Sequence, residues 1–138
     1  MLTLTAPVDL VVARAVVRRA GRVLLVRRAA WDSYPSCWEL PGGKADAGEA
    51  PADALARELR EETGLALRRA RQAFECVVRS PSGRTVRECF FEVAAGGEPL
   101  LSDEHDDLVW HDLATALPAP LTPATATALA ASQPTIGV

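Results

Sequence analysis

Short runs of apolar residues interrupted by polar ones fill the first part of the chain, a pattern typical of β-strands. Valine and alanine with interspersed arginine occupy Val8 to Arg19, and a second apolar run extends from Arg22 to Val26. Ala20-Gly21 separates the two runs, so we expect two strands joined by a tight turn. Residues 31–37 are rich in turn formers and aromatic side chains. They predict a loop that leads into a short strand, Trp38 to Leu40.

Proline and glycine residues mark the ends of the next elements. Pro41-Gly42-Gly43 is expected to form a turn that terminates the short strand. Pro51 suits the first turn of a helix, Ala52 to Glu62 contains mostly good helix formers, and Gly64 is placed to end the helix. At about 100° per residue, the helix carries one apolar stripe. That stripe consists of Leu55, Ala56 and Leu59.

The second half of the chain predicts a hairpin, one further strand and a final helix. A turn at Pro81-Ser82-Gly83 separates two apolar runs, and Thr122 is expected to cap the final helix through its side chain. The predicted elements are the strands Phe74 to Arg79, Thr85 to Val93 and Leu108 to His111, and the helix Pro123 to Ser132. Strands and helices together predict one α/β domain that covers residues 1–138.

Composition limits the classes of function. The chain has 138 residues, a formal net charge of -3 and 49% hydrophobic residues, which is typical of a globular domain and gives no basic surface for nucleic acid. No signal peptide or apolar segment of bilayer length is present in the sequence, so we expect a cytoplasmic protein without a membrane partner.

The three cysteines, Cys37, Cys76 and Cys89, follow no metal-ligand spacing and are expected to be reduced and packed. If the hairpin closes tightly around Ser82-Gly83, Cys76 and Cys89 face each other.

The predicted central helix carries an acidic face beside its apolar stripe. Glu58, Glu61 and Glu62 are spaced i, i+3, i+4, and side chains at this spacing approach to about 5–6 Å. Three neighbouring carboxylates repel one another, and a divalent cation is the simplest way to offset that repulsion. Hard oxygen ligands on a helix suit Mg²⁺ or Mn²⁺. The alternative interpretation is an acidic helix face exposed to solvent.

The residues around this acidic face have a distinctive spacing. Five residues separate Gly43 from Glu49, and seven separate Glu49 from Arg57, which begins the run Arg-Glu-Leu-Arg-Glu-Glu-Thr-Gly-Leu. The sequence thereby resembles the Nudix hydrolase family, whose motif it matches at Gly43, Glu49, Arg57, Glu58, Leu59, Glu61, Glu62, Gly64 and Leu65. The resemblance implies an α/β/α sandwich in which a mixed β-sheet packs between helices. It also implies metal-dependent hydrolysis of a nucleoside diphosphate linked to another group.

The resemblance further implies roles for individual residues. Glu58 and Glu62 correspond to the principal metal ligands, Glu61 to an additional ligand, and the Gly42 carbonyl often completes the site. Arg57 and Glu49 correspond to a pair that orients the acidic helix.

Proton transfer has two candidate carboxylates. Glu58 is the first candidate for the general base. Glu104, in the acidic segment 102–107, is the alternative base or an extra metal ligand, and a solvated acidic loop is the competing interpretation.

The sequence marks the residues that could bind the substrate less clearly than the metal ligands. Arg27 and Arg28 end the second strand and could bind phosphate, although exposed strand-end arginines are common. Trp31 and Tyr34, in the loop, could stack on a nucleobase. Pro81 occupies a position associated with the ADP-ribose branch of the family, but a hairpin turn also explains it.

The expected activity is conversion of a nucleoside triphosphate to a monophosphate and pyrophosphate, with a small-molecule nucleotide as the partner and a homodimer as a candidate assembly. The alternatives are an ADP-ribose or nucleotide-sugar pyrophosphatase and a nucleotide-sensing module without turnover.

Overall fold

The computed structural model describes residues 7–132. In this range the chain forms seven strands and two helices, in the order β-β-β-β-α-β-β-β-α. The elements are β1 Leu10–Arg19, β2 Arg22–Arg28, β3 Trp38–Glu39, β4 Gly42–Lys44, α1 Pro51–Thr63, β5 Ala66–Arg79, β6 Thr85–Gly96, β7 His105–Asp112 and α2 Pro123–Ser132.

The strands form one mixed sheet in which β1 is central. The main path is β3-β2-β1-β6-β5, while β4 pairs with β1 and β7 pairs with β2. β1 runs parallel to β6, and the other pairings are antiparallel. β1 and β2 pair only next to their connecting turn, at Arg18–Val23 and Arg19–Arg22. Beyond that point β1 pairs with β4, which brings the Gly42-Gly43 backbone to the centre of the sheet.

Each face of the sheet carries its own hydrophobic core. Alternate residues of β1 point to opposite faces, so Ala15 and Val17 pack on one side and Val16 packs on the other. The first core includes Leu55 and Leu59 of α1, and the second includes Leu129 of α2. The predicted α/β/α sandwich is therefore confirmed.

Helix α1 forms where the sequence predicts it. Pro51 is its first residue, where the absence of an N–H carries no penalty. Gly64 follows its last residue with a φ of 75°, and the Gly64 N–H donates to the Arg60 carbonyl at 2.9 Å. Because a side chain is strained in this left-handed conformation, glycine is the residue that best ends the helix here.

The β5–β6 hairpin differs from its prediction in length and register. β5 begins at Ala66 instead of Phe74, and Arg79 pairs with Thr85 across the connection of residues 80–84. This register places Cys76 opposite Glu88. The predicted pairing of Cys76 with Cys89 is therefore wrong. A shift of one residue reverses the face to which a side chain points, and the two thiols pack in the two different cores.

Two further local predictions are corrected. Gly42 and Gly43, predicted as part of a turn, lie in strand β4 because this segment pairs with β1. Thr122 precedes α2, but its buried Oγ1 has no hydrogen-bond partner among residues 7–132, so the predicted side-chain cap is wrong. The Thr122 carbonyl instead accepts the Ala126 N–H at 3.0 Å.

All three cysteines are free thiols, and Cys76 and Cys89 are buried. No helix within residues 7–132 combines the length and the apolar character needed to cross a lipid bilayer.

Candidate active site

A polar cavity of about 340 Å³ opens where β1, β2, β4 and α1 meet the loop before β7. Charged side chains from elements far apart in the sequence line it. The lining consists of Val12, Arg14, Arg28, Asp32, Glu39, Gly42, Gly43, Lys44, Glu58, Glu62, Glu104 and His105.

The acidic face of α1 divides into two inward carboxylates and one outward carboxylate. Glu58 and Glu62 line the cavity. Glu61 does not line it, and 59% of the Glu61 side chain is exposed to solvent. Arg57 lies 3.6 Å from the Glu61 carboxylate. Glu58 and Glu62 are therefore the two glutamates of the helix that face the cavity.

The two glycines of β4 allow α1 to lie close against the sheet. A Cβ atom at Gly43 would overlap the Glu58 carboxylate, and one at Gly42 would overlap the Ala13 carbonyl. Gly42 also has a φ of 151°, which disfavours other residues. Its N–H donates to Glu62 Oε1 at 3.0 Å. The glycines thus bring the backbone of β4 into contact with both inward carboxylates.

Arg57 connects the loop before α1 to the helix. Its guanidinium donates to Glu49 at 2.8 and 3.1 Å, to Glu58 at 2.8 Å and to the Lys44 carbonyl at 3.0 Å. The hydrogen bonds from Arg57 lower the pKa of Glu49 to about 2. Arg57 therefore fixes the position of Glu58 relative to the 44–49 segment.

The inward carboxylates lie in surroundings that disfavour their charge. Burial raises the pKa of Glu62 to about 8, and the Gly42 N–H and nearby cations only partly oppose this effect. Burial also raises the pKa of Glu58, although Arg57 opposes it. A cation in the cavity would therefore stabilise the charged forms of both carboxylates.

These residues fit a divalent ion by their chemistry. Glu58, Glu62 and Glu104 supply carboxylate oxygens to one cavity, and hard oxygen donors suit Mg²⁺ and Mn²⁺. Among the described residues, no three acidic, histidine or cysteine side chains are already gathered at coordinating distances. Mg²⁺ needs few protein ligands, because it retains water and contacts substrate phosphates.

A buried ion network forms the floor of the cavity, and the sequence did not predict it. Glu39 is 2% exposed. It accepts a hydrogen bond from Arg28 at 2.9 Å, contacts Arg14 at 3.3 Å, and lies 3.1 Å from His105 Nε2. Arg14 Nε also donates to Glu88 Oε1 at 2.6 Å. The one signal in the sequence is an arginine inside the apolar run of β1, which requires a buried partner.

The network keeps Glu39 ionised. Burial alone would raise its pKa, but Arg14, the His105 hydrogen bond and Arg28 together lower it to about 2. Ionised Glu39 therefore stabilises the folded state above its ordinary pKa of 4.5, and this contribution is lost as the pH falls from 4.5 towards about 2.

We expect Glu39→Gln to lower the free energy of unfolding by about 3 kcal/mol at neutral pH, because it leaves the buried Arg14 and the half-buried Arg28 with a weaker partner. Urea denaturation at neutral pH measures this loss. Between pH 5 and pH 2 the difference between the wild type and the variant should shrink. Glu98→Gln is the control, since the Glu98 side chain is 88% exposed. A difference that is independent of pH would contradict the assigned pKa of Glu39.

The two arginines at the end of β2 have different surroundings. Arg28 lines the cavity, where it pairs with Glu39 and also with Asp32, to which its Nε donates at 2.6 Å. Arg27 does not line the cavity, and its Nε donates to Asp106 at 2.7 Å. Both side chains are thus already paired with carboxylates, which leaves fewer of their N–H donors for a phosphate.

The remaining predicted substrate and base residues differ in their position relative to the cavity. Trp31 is 73% exposed and does not line it. Tyr34 is half-buried beside Arg28, whose guanidinium carbon lies 5.6 Å from the ring centroid. Glu104 is exposed at the cavity edge, and its carbonyl accepts the Ala29 N–H at 3.2 Å. Lys44, which no sequence pattern marked as a site residue, also lines the cavity.

Comparison with known proteins agrees with this arrangement. Residues 9–131 match the family model described as NUDIX domain. The CTP pyrophosphohydrolase of Escherichia coli (strain K12) is 36% identical over 116 residues, which cover 82% of this chain and 83% of that protein.

Solved structures give the same result. The crystal structure of a MutT NUDIX hydrolase from Burkholderia pseudomallei superposes with a TM-score of 0.83 at 36% identity, covering 90% of this chain and 98% of that one. The solution structure of the E. coli ORF135 protein gives a TM-score of 0.70 at 32% identity, with coverages of 91% and 93%. The chain therefore belongs to the Nudix hydrolase family.

Proposed function

We propose that this protein is a Mg²⁺- or Mn²⁺-dependent pyrophosphohydrolase that converts a nucleoside triphosphate to a monophosphate and pyrophosphate. The observation that carries the proposal is the pair of inward carboxylates, Glu58 and Glu62, which line a polar cavity and are held against the glycines of β4. The similar CTP pyrophosphohydrolase has a nucleoside triphosphate in its name, which supports a triphosphate substrate.

Glu58 and Glu62 would hold the divalent ion, together with the Gly42 carbonyl and, at the cavity edge, Glu104. Glu61 would contribute from the outer side of the helix, where it already contacts Arg57. When bound, the ion neutralises the phosphate oxygens and lowers the pKa of the attacking water.

Glu58 is our first candidate for the group that accepts the proton of this water. Water adds to phosphorus, the bond between the α- and β-phosphates breaks, and the proton moves to the carboxylate. Glu58 suits this role because burial already raises its pKa and because Arg57 fixes its position. Glu104 is the alternative base.

Arg57 and Glu49 would orient the acidic helix and not contact the substrate. Their two hydrogen bonds connect the 44–49 segment to α1. We propose that Tyr34 and the exposed Trp31 contact the nucleoside. The contribution of Arg28 to phosphate binding is limited by its two carboxylate partners, and Arg27 would act from outside the cavity.

A substrate panel tests the proposed function. Purified protein is incubated with Mg²⁺ and nucleoside triphosphates, ADP-ribose, dinucleoside polyphosphates or coenzyme A, and the released phosphate species are identified. We expect the highest kcat/KM for a nucleoside triphosphate and no turnover in excess chelator. Preferential hydrolysis of ADP-ribose would replace the proposed substrate class, and binding without turnover of any compound would indicate a sensing module.

A further inference from the structure

Strand β7 begins with a β-bulge beside the cavity. Leu108 and Trp110 of β7 pack against the core on the α1 side of the sheet. In a regular strand Asp106 would share their face, because alternate residues point the same way. The register shifts at this point, so that His105 and not Asp106 pairs with Arg28. The extra residue therefore turns His105 towards the cavity, and bulges beside active sites commonly redirect a side chain in this way.

The two neighbours of His105 in the chain are exposed and lie in different places. Asp106 does not line the cavity, and it accepts a hydrogen bond from Arg27 Nε at 2.7 Å. Glu104 lines the edge of the cavity. Burial raises the pKa of Glu58, and the nearby charge of Glu104 also acts to raise it. The carboxylates of Glu104 and Glu58 are therefore close enough to interact across the cavity.

One hydrogen bond fixes the His105 ring. His105 is 6% exposed, and its Nε2 lies 3.1 Å from Glu39 Oε2. Glu39 is ionised, and a carboxylate only accepts hydrogen bonds, so the Nε2–H donates to Glu39. The buried Nδ1 has no hydrogen-bond partner among residues 7–132. Arg14 and Arg28 hold the Glu39 carboxylate in turn, so the ring is attached to the buried ion network.

The backbone contacts of the segment before β7 are long. The Glu104 N–H donates to Ser102 Oγ at 3.3 Å, the His105 N–H donates to the Ser102 carbonyl at 3.4 Å, and the Glu104 carbonyl accepts the Ala29 N–H at 3.2 Å. Hydrogen bonds from N–H to oxygen usually measure about 2.7–3.2 Å. The buried contact between His105 and Glu39 is therefore the main attachment of Glu104 at the edge of the cavity.

We propose that His105 is a positioning residue, which donates from Nε2 to Glu39 and thereby holds Glu104 at the cavity edge, where Glu104 contacts the divalent ion. The inference rests on the proposed function, in which Glu104 is one of the residues that hold this ion. It gives His105 a role that is exerted through Glu104 and needs no contact between the imidazole and the substrate.

Binding of Mn²⁺ alone tests the inference without turnover. Isothermal titration calorimetry measures Kd for the full chain and for two variants of His105. Both amide side chains can donate a hydrogen bond, but glutamine reaches as far as the Nε2 of histidine and asparagine only as far as Nδ1. We expect His105→Gln to keep Kd within about twofold of the wild type, whereas His105→Asn should raise it about tenfold, the usual effect of losing a group that supports a metal ligand. An unchanged Kd in His105→Asn, or no saturable binding of Mn²⁺ to the wild type, would overturn the inference.

A double-mutant cycle separates positioning from a general structural effect. Glu104→Gln should weaken Mn²⁺ binding, and adding His105→Asn to that variant should cause no further loss, because His105 acts through Glu104. An equal loss in both backgrounds would contradict the proposal. His111→Asn is the matched control, since this second histidine of β7 does not line the cavity, and it should leave Kd unchanged.

The His105 ring can also be examined in the wild type. Long-range ¹H–¹⁵N NMR spectra identify the ring nitrogen that carries a proton. We expect a proton on Nε2, since Nε2 is the atom that donates to Glu39. A proton on Nδ1 alone would overturn the inference, even if His105→Asn fails to fold.

Kinetics separate this inference from the proposed function. If the Mn²⁺ affinities follow the expected order but no triphosphate is hydrolysed, the proposed function fails and the role of His105 stands. If triphosphates are hydrolysed and His105→Asn binds Mn²⁺ as the wild type does, the proposed function stands and the inference fails.

Discussion

Replacing Glu62 with glutamine is expected to lower kcat by about three orders of magnitude in the presence of Mg²⁺. The change removes one of the two inward carboxylates and keeps the shape of the side chain. The amide oxygen of the new side chain can still accept the Gly42 N–H, which Glu62 Oε1 accepts at 3.0 Å. Steady-state kinetics with a nucleoside triphosphate measure the loss.

Folding should survive this substitution. Burial raises the pKa of Glu62 to about 8, so an uncharged amide should be accommodated more easily, and the melting temperature without metal should rise. Asp53→Asn, an exposed acid-to-amide change in the first turn of the same helix, is the control and should retain wild-type kcat. Near wild-type turnover of Glu62→Gln would show that catalysis does not depend on the acidic face of α1.

Replacing Glu58 with glutamine is expected to lower kcat by about two to four orders of magnitude at saturating metal. This loss should exceed the loss caused by Glu104→Gln. Glu58 lies on a helix, where Arg57 and Gly43 restrict its movement. Glu104 is exposed on the loop before β7. A base on a rigid element keeps its geometry better than one on a loop.

The opposite ranking has a defined meaning. If Glu104→Gln abolishes turnover while metal and substrate still bind, and Glu58→Gln retains substantial activity, Glu104 is the base.

Local sequence signals predicted the parts of the fold that local chemistry decides. Pro51 and Gly64 define the ends of α1 to within a residue. The Ala20-Gly21 turn forms as expected, and both residues have positive φ angles of 49° and 77°. The spacing of glutamates predicted one acidic helix face, and the structure directs Glu58 and Glu62 from that face into one cavity.

Features that depend on distant segments were not predictable from the sequence. Strand β4 exists because Gly42 lies next to Arg14 of β1, a pairing that no local pattern encodes. The ion network likewise joins Arg14, Glu39 and Glu88, whose buried positions follow only from the assembled sheet. Glu61 is different, because at about 100° per residue it lies opposite the apolar stripe of α1, so its outward orientation follows from local spacing.

Identification of the reaction products by phosphorus NMR shows which phosphoanhydride bond is cleaved and whether cleavage requires a metal ion. The intact protein is incubated with CTP and Mg²⁺, and a parallel sample contains excess EDTA. We expect CMP and pyrophosphate in the first sample and unchanged CTP in the second. Formation of CDP and inorganic phosphate, or equal turnover in EDTA, would contradict metal-dependent cleavage between the α- and β-phosphates.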